Sequence, residues 1–286
     1  MHRLALIGLV ACGSRSIDKE TAAALFTEVP IDTAPGLSGL AADDVGALWT
    51  VAERDATAYR VTLDAALKPT VVAYPIEGIP AGTDLEGVAW LGKDRLAFGT
   101  EGREDGAALI LLVDVRGRAL VVTETIQLPE VELGLHVLAN HGTEGICGSG
   151  DTLVAAIEET GTEAGKRWAP IVRLDRGKIT RVHKLWLTTR TGKLSGLDCQ
   201  IGADGSIKVI AIERHFEVTK LLTFTLPASG DITPTVALDL GPALDGALNL
   251  EGIAWTPAGV VAVIDNQYKT VSGPSELLVF KRDAVK

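Results

Sequence analysis

An all-β fold of repeated four-stranded units, a five-bladed β-propeller, is what this sequence of 286 residues predicts, and three observations carry the prediction. A short motif recurs five times: LSGLAA from Leu37, LEGVAW from Leu85, TEGICG from Thr143, LSGLDC from Leu194 and LEGIAW from Leu250. Its second position is Ser38, Glu86, Glu144, Ser195 and Glu251, so the copies are spaced by 48, 58, 51 and 56 residues, near the period of propeller blades. Each copy is followed 14 to 18 residues later by an apolar, β-prone run that closes on an acid: Glu53, Glu101, Glu158, Glu213 or Asp265. A chain of this length with 47% hydrophobic residues and few helix signals buries a large core within one domain.

Taken in order, residues 1–12 read as a lipoprotein-type signal peptide. His2 and Arg3 give a cationic start, LALIGLVA is apolar, and Leu9-Val10-Ala11-Cys12 resembles a lipobox, which implies lipidation at Cys12. A buried N-terminal strand is the competing reading. The apolar run is too short to span a bilayer. Residues 13–21 would be a polar tether and 22–286 the propeller domain, placed in a bacterial cell envelope, lipid-anchored and facing the periplasm or exterior. Membrane contact would be through the lipid alone.

The first unit shows strand-like runs at 37–42, 48–53, 58–63 and 70–76, separated by turn formers such as Asp43-Asp44 and Lys68-Pro69. The second repeats the order at 85–90, 95–100, 108–113 and 119–128, with Lys93-Asp94 as a tight turn. The third adds a polar insertion, ETGTEAGKR, between its second and third strands. In the fourth, Ala203-Asp204-Gly205 makes the hairpin turn. The fifth has three runs, at 250–255, 260–264 and 276–280, and so lacks an outer strand. The strand-like segment at 24–31 is expected to supply it by pairing beside 277–280, which removes an exposed sheet edge. A six-bladed ring would need a sixth, degenerate unit.

A net charge of −10 argues against nucleic acid as a partner, and no Lys and Arg cluster stands out for a polyphosphate. The spacings of zinc sites and the GxSxG elbow of common serine hydrolases are lacking. Cys147 and Cys199 are expected to be small buried hydrophobes, not a disulfide framework. A monomer is expected.

Because strands alternate in direction, the start of each first strand and the end of each second strand should meet at one mouth of the central channel. Eight carboxylates would converge there: Glu86, Glu144 and Glu251 with Glu53, Glu101, Glu158, Glu213 and Asp265. Crowded like charges require compensation by shared protons, by a hard cation such as Ca²⁺, or by Arg54, Arg103 and Arg214. Arg54 and Arg214 should point to the other strand face and brace a neighbouring blade. The competing reading makes the acids structural, accepting backbone N–H groups while each adjacent glycine permits close approach. Trp90 and Trp255 are expected in the core between blades. Among the histidines, His215 lies near the expected mouth and is the candidate proton carrier, while His136 and His141 flank the third unit.

The runs TEGICGSGDTLVAAIEETG, LSGLDCQIGADGSIKVIAIERHF and LEGIAWTPAGVVAVIDNQ resemble a known family, the esterase-like activity of phytase family, over about residues 36–282. The resemblance implies an envelope or secreted propeller that hydrolyses phosphate or carboxylic esters and holds Ca²⁺ in acidic clusters. It carries over Glu86, Glu144, Glu158, Glu159, Glu213, Arg214, Asp265 and Asn266. With the residue pattern it yields an expectation: a divalent cation at the acidic mouth, a small-molecule ester as substrate, and His215 and Arg214 as catalytic groups. The lack of a basic cluster counts against phytate itself. The rival reading is a non-enzymatic ligand-binding or scaffold propeller.

Overall fold

Short runs of Val, Ile, Leu and Thr between turn formers become the strands. The computed structural model describes residues 21, 24–102, 108–216, 218–241, 249–265 and 274–285. The expected signal peptide with its Cys12, the tether through residue 20, Arg103 and Asn266 lie outside these residues. A leading strand β1 (Phe26–Ile31) precedes a first set of four, β2 (Leu37–Ala42), β3 (Leu48–Ala52), β4 (Thr57–Leu63) and β5 (Pro69–Glu77). The second set is β6 (Thr83–Gly92), β7 (Arg95–Gly102), β8 (Leu109–Arg116) and β9 (Ala119–Gln127). The third is β10 (Thr143–Ser149), β11 (Thr152–Ile157), the inserted β12 (Gly161–Glu163), β13 (Lys166–Asp175) and β14 (Lys178–Trp186). The fourth is β15 (Lys193–Ile201), β16 (Ile207–His215), β17 (Val218–Thr225) and β18 (Thr235–Asp239). The fifth holds β19 (Asn249–Thr256), β20 (Gly259–Asp265) and β21 (Ser275–Phe280).

Within each set successive strands pair antiparallel, except that in the third β11 passes over the inserted β12 to pair with β13, and β1 completes the fifth by pairing with β21 from Phe26↔Phe280 to Ile31↔Ser275. The N-terminal strand therefore covers the edge that the fifth unit would expose. The first and second sets also meet at their outer edges, where Ile76 pairs in parallel with Leu120. Turn chemistry follows the sequence. Lys93 and Asp94 both take positive φ, 55° and 58°, as a two-residue hairpin turn demands. Asp43 Oδ1 accepts from the amides of Val45 at 3.1 Å and Ala47 at 2.8 Å, fixing the β2–β3 turn.

The inner strands close on one another through the motif glycines. A Cβ on Gly39 would collide with the backbone of Glu86 and Val88; one on Gly87, with Glu144 and Ile146. Gly145 meets Gly196 and Leu197, Gly196 meets Glu251 and Gly252, and Gly252 returns to Gly39 and Leu40. Each first strand thus packs on the next and the fifth packs on the first, so the strands form a closed, all-β, propeller-like ring. One buried apolar cluster fills each junction between neighbouring sets; Leu85, Phe98 and Leu111, for example, pack with Trp49 and Val51.

The ladder register shifts at the motif in all five first strands. Thr143 pairs Ile157 but Gly145 pairs Ala156, so Glu144 is passed over; Ser195 and Glu251 are skipped likewise. The breaks in β2 and β6 span Ser38/Ala41 and Leu85/Val88. A bulge leaves one residue out of the ladder and re-aims its side chain. In β10, β15 and β19 that residue is the motif's Glu or Ser, in β6 Glu86 is passed over together with Gly87, and in β2 Ser38 keeps its pairing with Val51 while Gly39 and Leu40 are passed over.

One expectation is corrected. Cys147 and Cys199 are not free thiols but a disulfide across Cα atoms 5.6 Å apart, joining β10 to β15. The two inner strands lie side by side only because the ring brings consecutive motifs together, a neighbourhood that a separation of 52 residues does not reveal.

Candidate functional site

The bulges aim the first-strand acids toward the ends of the second strands. Carboxylate oxygens of Glu86, Glu101 and Glu144 lie within 4.8 Å of one another, with Glu86 and Glu144 buried and Glu101 half-buried. Ser38, at the equivalent motif position of the preceding set, donates its hydroxyl to Glu86 Oε2 at 2.8 Å. Glu101 accepts from the backbone N–H of Gly142.

The surrounding acids have basic or amide partners. Arg54, which follows Glu53, lies 3.9 Å from Glu53 and 3.6 Å from Asp84 on the next set. Lys193 at the start of β15 pairs with Glu158 at the end of the third set's second strand. Arg214 forks onto Glu251, with Nε 3.0 Å from Oε2 and the second nitrogen on Oε1. Asn249 Nδ2 donates to Glu251 Oε1 at 2.6 Å and to Asp265 Oδ2 at 3.2 Å. Both arginines reach the neighbouring set, as strand alternation predicts.

Glu213 is placed otherwise. Fully buried, it accepts the amides of Thr188 and Thr189, each at 2.9 Å, and both their hydroxyls. Glu159, carried over by resemblance, binds His141 Nδ1 at 3.0 Å and the amide of Thr160 at 2.9 Å. His136 pairs with Glu130 at 2.6 Å on the surface. The Trp90 ring stacks on Trp49 across a set junction, centroids 6.2 Å apart.

The family model described as phytase-like, "esterase-like activity of phytase", matches residues 32–268. The chain belongs to this phytase-like family. No curated protein matches it. Among solved structures, this family member resembles an exo-beta-1,3-galactanase from Phanerochaete chrysosporium with galactose, at 9% identity and TM-score 0.57, over 90% of this chain and 65% of that one. It is also similar to the PQQ-bound aldose sugar dehydrogenase of Streptomyces coelicolor, at 13% identity and TM-score 0.47, covering 90% and 98% of the two chains. A calcium-binding regucalcin from Agrobacterium tumefaciens matches at 14% identity and TM-score 0.47, covering 90% and 94%. At such identities the galactanase likeness concerns fold alone.

The electrostatics of this phytase-like mouth follow from burial and crowding. Burial first, then Asp265 and Glu251, push the Glu53 carboxyl up to about 8. Glu101 is raised to about 7 by burial, Glu158 and Asp84. Burial raises Glu251 to about 7 although Arg214 works against it. Glu86 and Glu144 are raised well above the ordinary range, by burial and then by neighbouring glutamates. His215 is held below the usual histidine range by partial burial and by Lys193, Arg167 and Arg214.

Sequence reading missed Asp84, Lys193 and Asn249. Each stands two residues before its motif acid or serine, at 86, 195 and 251. Period-two alternation places such residues on the same strand face, so the signal was present.

Proposed function

We propose that this protein is a five-bladed phytase-like propeller that holds a divalent cation at its acidic mouth and hydrolyses phosphate or carboxylic esters. The observation that carries the reading is the convergence of Glu86, Glu101 and Glu144, whose oxygens lie within 4.8 Å of one another. Oxygens bound to one Ca²⁺ at about 2.3–2.6 Å cannot be more than about 5 Å apart, and Ca²⁺ takes carboxylate ligands, so the donor set fits. A bound Ca²⁺ would supply a Lewis acid for an ester or phosphoryl oxygen. The closed chain of glycine contacts, with β1 completing the fifth set, supports the count of five blades.

His215, held below the usual histidine range by partial burial and then by its cationic neighbours, serves as the proton acceptor. Arg214, committed to Glu251, positions the mouth instead of meeting substrate. An envelope location, with Cys12 as the lipid-bearing residue, is supported by the Cys147–Cys199 disulfide, since such bonds persist in oxidising compartments.

A second reading, a non-enzymatic propeller whose acids stitch the blades, is favoured by Glu213 and Glu251, both engaged by protein donors. Calorimetry of the protein in Ca²⁺ and in EDTA, with turnover of p-nitrophenyl phosphate and p-nitrophenyl acetate, separates the two. The cation reading expects Ca²⁺ to raise the melting temperature of wild type but not of a Glu86→Gln, Glu144→Gln variant, and expects turnover to disappear in that variant. Equal shifts in both proteins would remove the site. A calcium shift without turnover leaves a binding propeller.

A further inference from the structure

The third set carries an insertion between its second and third strands. Duplicated positions serve the ring, whereas a departure from the duplication is free to serve a ligand. The insertion folds as a short hairpin, β12 on the start of β13, turning through Ala164 and Gly165 at φ of 49° and 75°. Together with residues 186–190 and 233–234, it encloses an open cavity of about 1110 Å³.

Three cationic residues line that cavity: Lys166, Arg167 and Arg190. The lining acid, Glu163, is already paired with Lys184. Arg167 is half-buried, and its guanidinium is held by two neutral acceptors, the Arg190 carbonyl oxygen at 3.1 Å and Thr160 Oγ1 at 2.6 Å. Arg54, Lys193 and Arg214 around the mouth each meet a carboxylate; Arg167, among the described residues, does not. In a chain of net charge −10, an oriented guanidinium without a carboxylate leaves its charge available to an external anion. The opposite wall is equally fixed. Thr188 and Thr189 line it and are gripped by buried Glu213, while Trp186 offers an apolar face.

We propose that this cavity is an oxyanion subsite for the phosphate or carboxylate group of a small-molecule ester, with Arg167 as its fixed ligand and Arg190 and Lys166 closing over the anion. The proposal rests on the acidic mouth being the reactive centre, and it narrows the substrate to esters that carry an acidic group. Glu213 is then a positioning residue that acts through Thr188 and Thr189. The cationic cluster that the linear sequence does not display is assembled by the insertion.

The test is isothermal titration of the full chain in EDTA with phenyl phosphate, inorganic phosphate and acetate. Wild type should bind at least one of these saturably, and the preferred probe tells phosphate from carboxylate. Arg167→Gln should weaken binding about tenfold or more, and the exposed Arg190→Gln, which leaves the wall intact, by a smaller factor. Absence of saturable binding in EDTA, or unchanged affinity in both variants, overturns the subsite. The calcium-induced melting shift of Arg167→Gln is read in parallel. Anion binding lost with that shift intact supports the subsite, as does Arg167-dependent anion binding in a wild type without any calcium shift, which removes only the cation reading. Anion binding that requires Ca²⁺ and survives Arg167→Gln overturns the subsite and leaves the cation centre standing.

Discussion

Arg214, the next-to-last residue of β16, donates hydrogen bonds from two guanidinium nitrogens to the bulged Glu251 of the next set. The pair ties neighbouring sets together beside the acidic cluster. Its geometry decides how the mouth tolerates Glu251.

Removing that guanidinium leaves Glu251 buried beside Asp265 and Glu158. Arg214→Gln is expected to destabilise the fold by about 3 kcal/mol at neutral pH, and by less at about pH 5, where Glu251 can take up a proton. Urea unfolding at the two pH values checks both magnitude and direction. An equal loss at both would mean that Arg214 acts through packing alone.

Stability of the metal-free protein should fall as pH rises. The folded carboxyls of Glu101 and Glu251 titrate near 7 and that of Glu53 near 8, against about 4.3 for an unfolded glutamate. Below about pH 4 both states are protonated and the shifts cost nothing. Between there and about pH 8 the folded chain retains protons that the unfolded chain has released, so each step upward in pH favours unfolding; above about pH 8 the effect levels off. The melting temperature in EDTA is expected to drop by roughly 5 °C or more from about pH 5.5 to about pH 8, and Ca²⁺ should flatten the trend. A rise over that interval would contradict the crowding of these acids.

Gly87 has no room for a side chain: an added Cβ would lie 2.9 Å from both the Glu144 carbonyl oxygen and Ile146 Cγ2. Gly87→Ala should destabilise by about 1–3 kcal/mol by pushing adjacent first strands apart. Gly92→Ala tests a different cost, because Gly92 has open space around it but φ of 82°. Only the Gly87 change is expected to weaken the proposed Ca²⁺ binding along with stability, since it displaces the strand that bears Glu144.

Cleaving the Cys147–Cys199 bond should cost about 2–4 kcal/mol, because it frees a long loop in the unfolded chain. Denaturant midpoints with and without reductant measure this. The double variant Cys147→Ala, Cys199→Ala should melt low regardless of reductant, which separates the disulfide's effect from other actions of the reagent.

Taken by itself, the sequence determined the strand repeats, the edge-covering role of the segment near Phe26 and the positions of the repeated acids, because alternation and duplication are written locally along the chain. It also carried signals that went unread: the glycine after each motif acid marks the bulge, and Asp84, Lys193 and Asn249 stand one alternation before the motif. Partnership was decided only in three dimensions. Glu101 and Glu213 close equivalent second strands, yet Glu101 lies with Glu86 and Glu144, whereas Glu213 turns to Thr188 and Thr189. Ring closure and the insertion choose those neighbours, as they choose the partner of Cys147 and leave Arg167 beside a cavity. Such choices depend on contacts between strands roughly a full repeat apart, and no local periodicity encodes them.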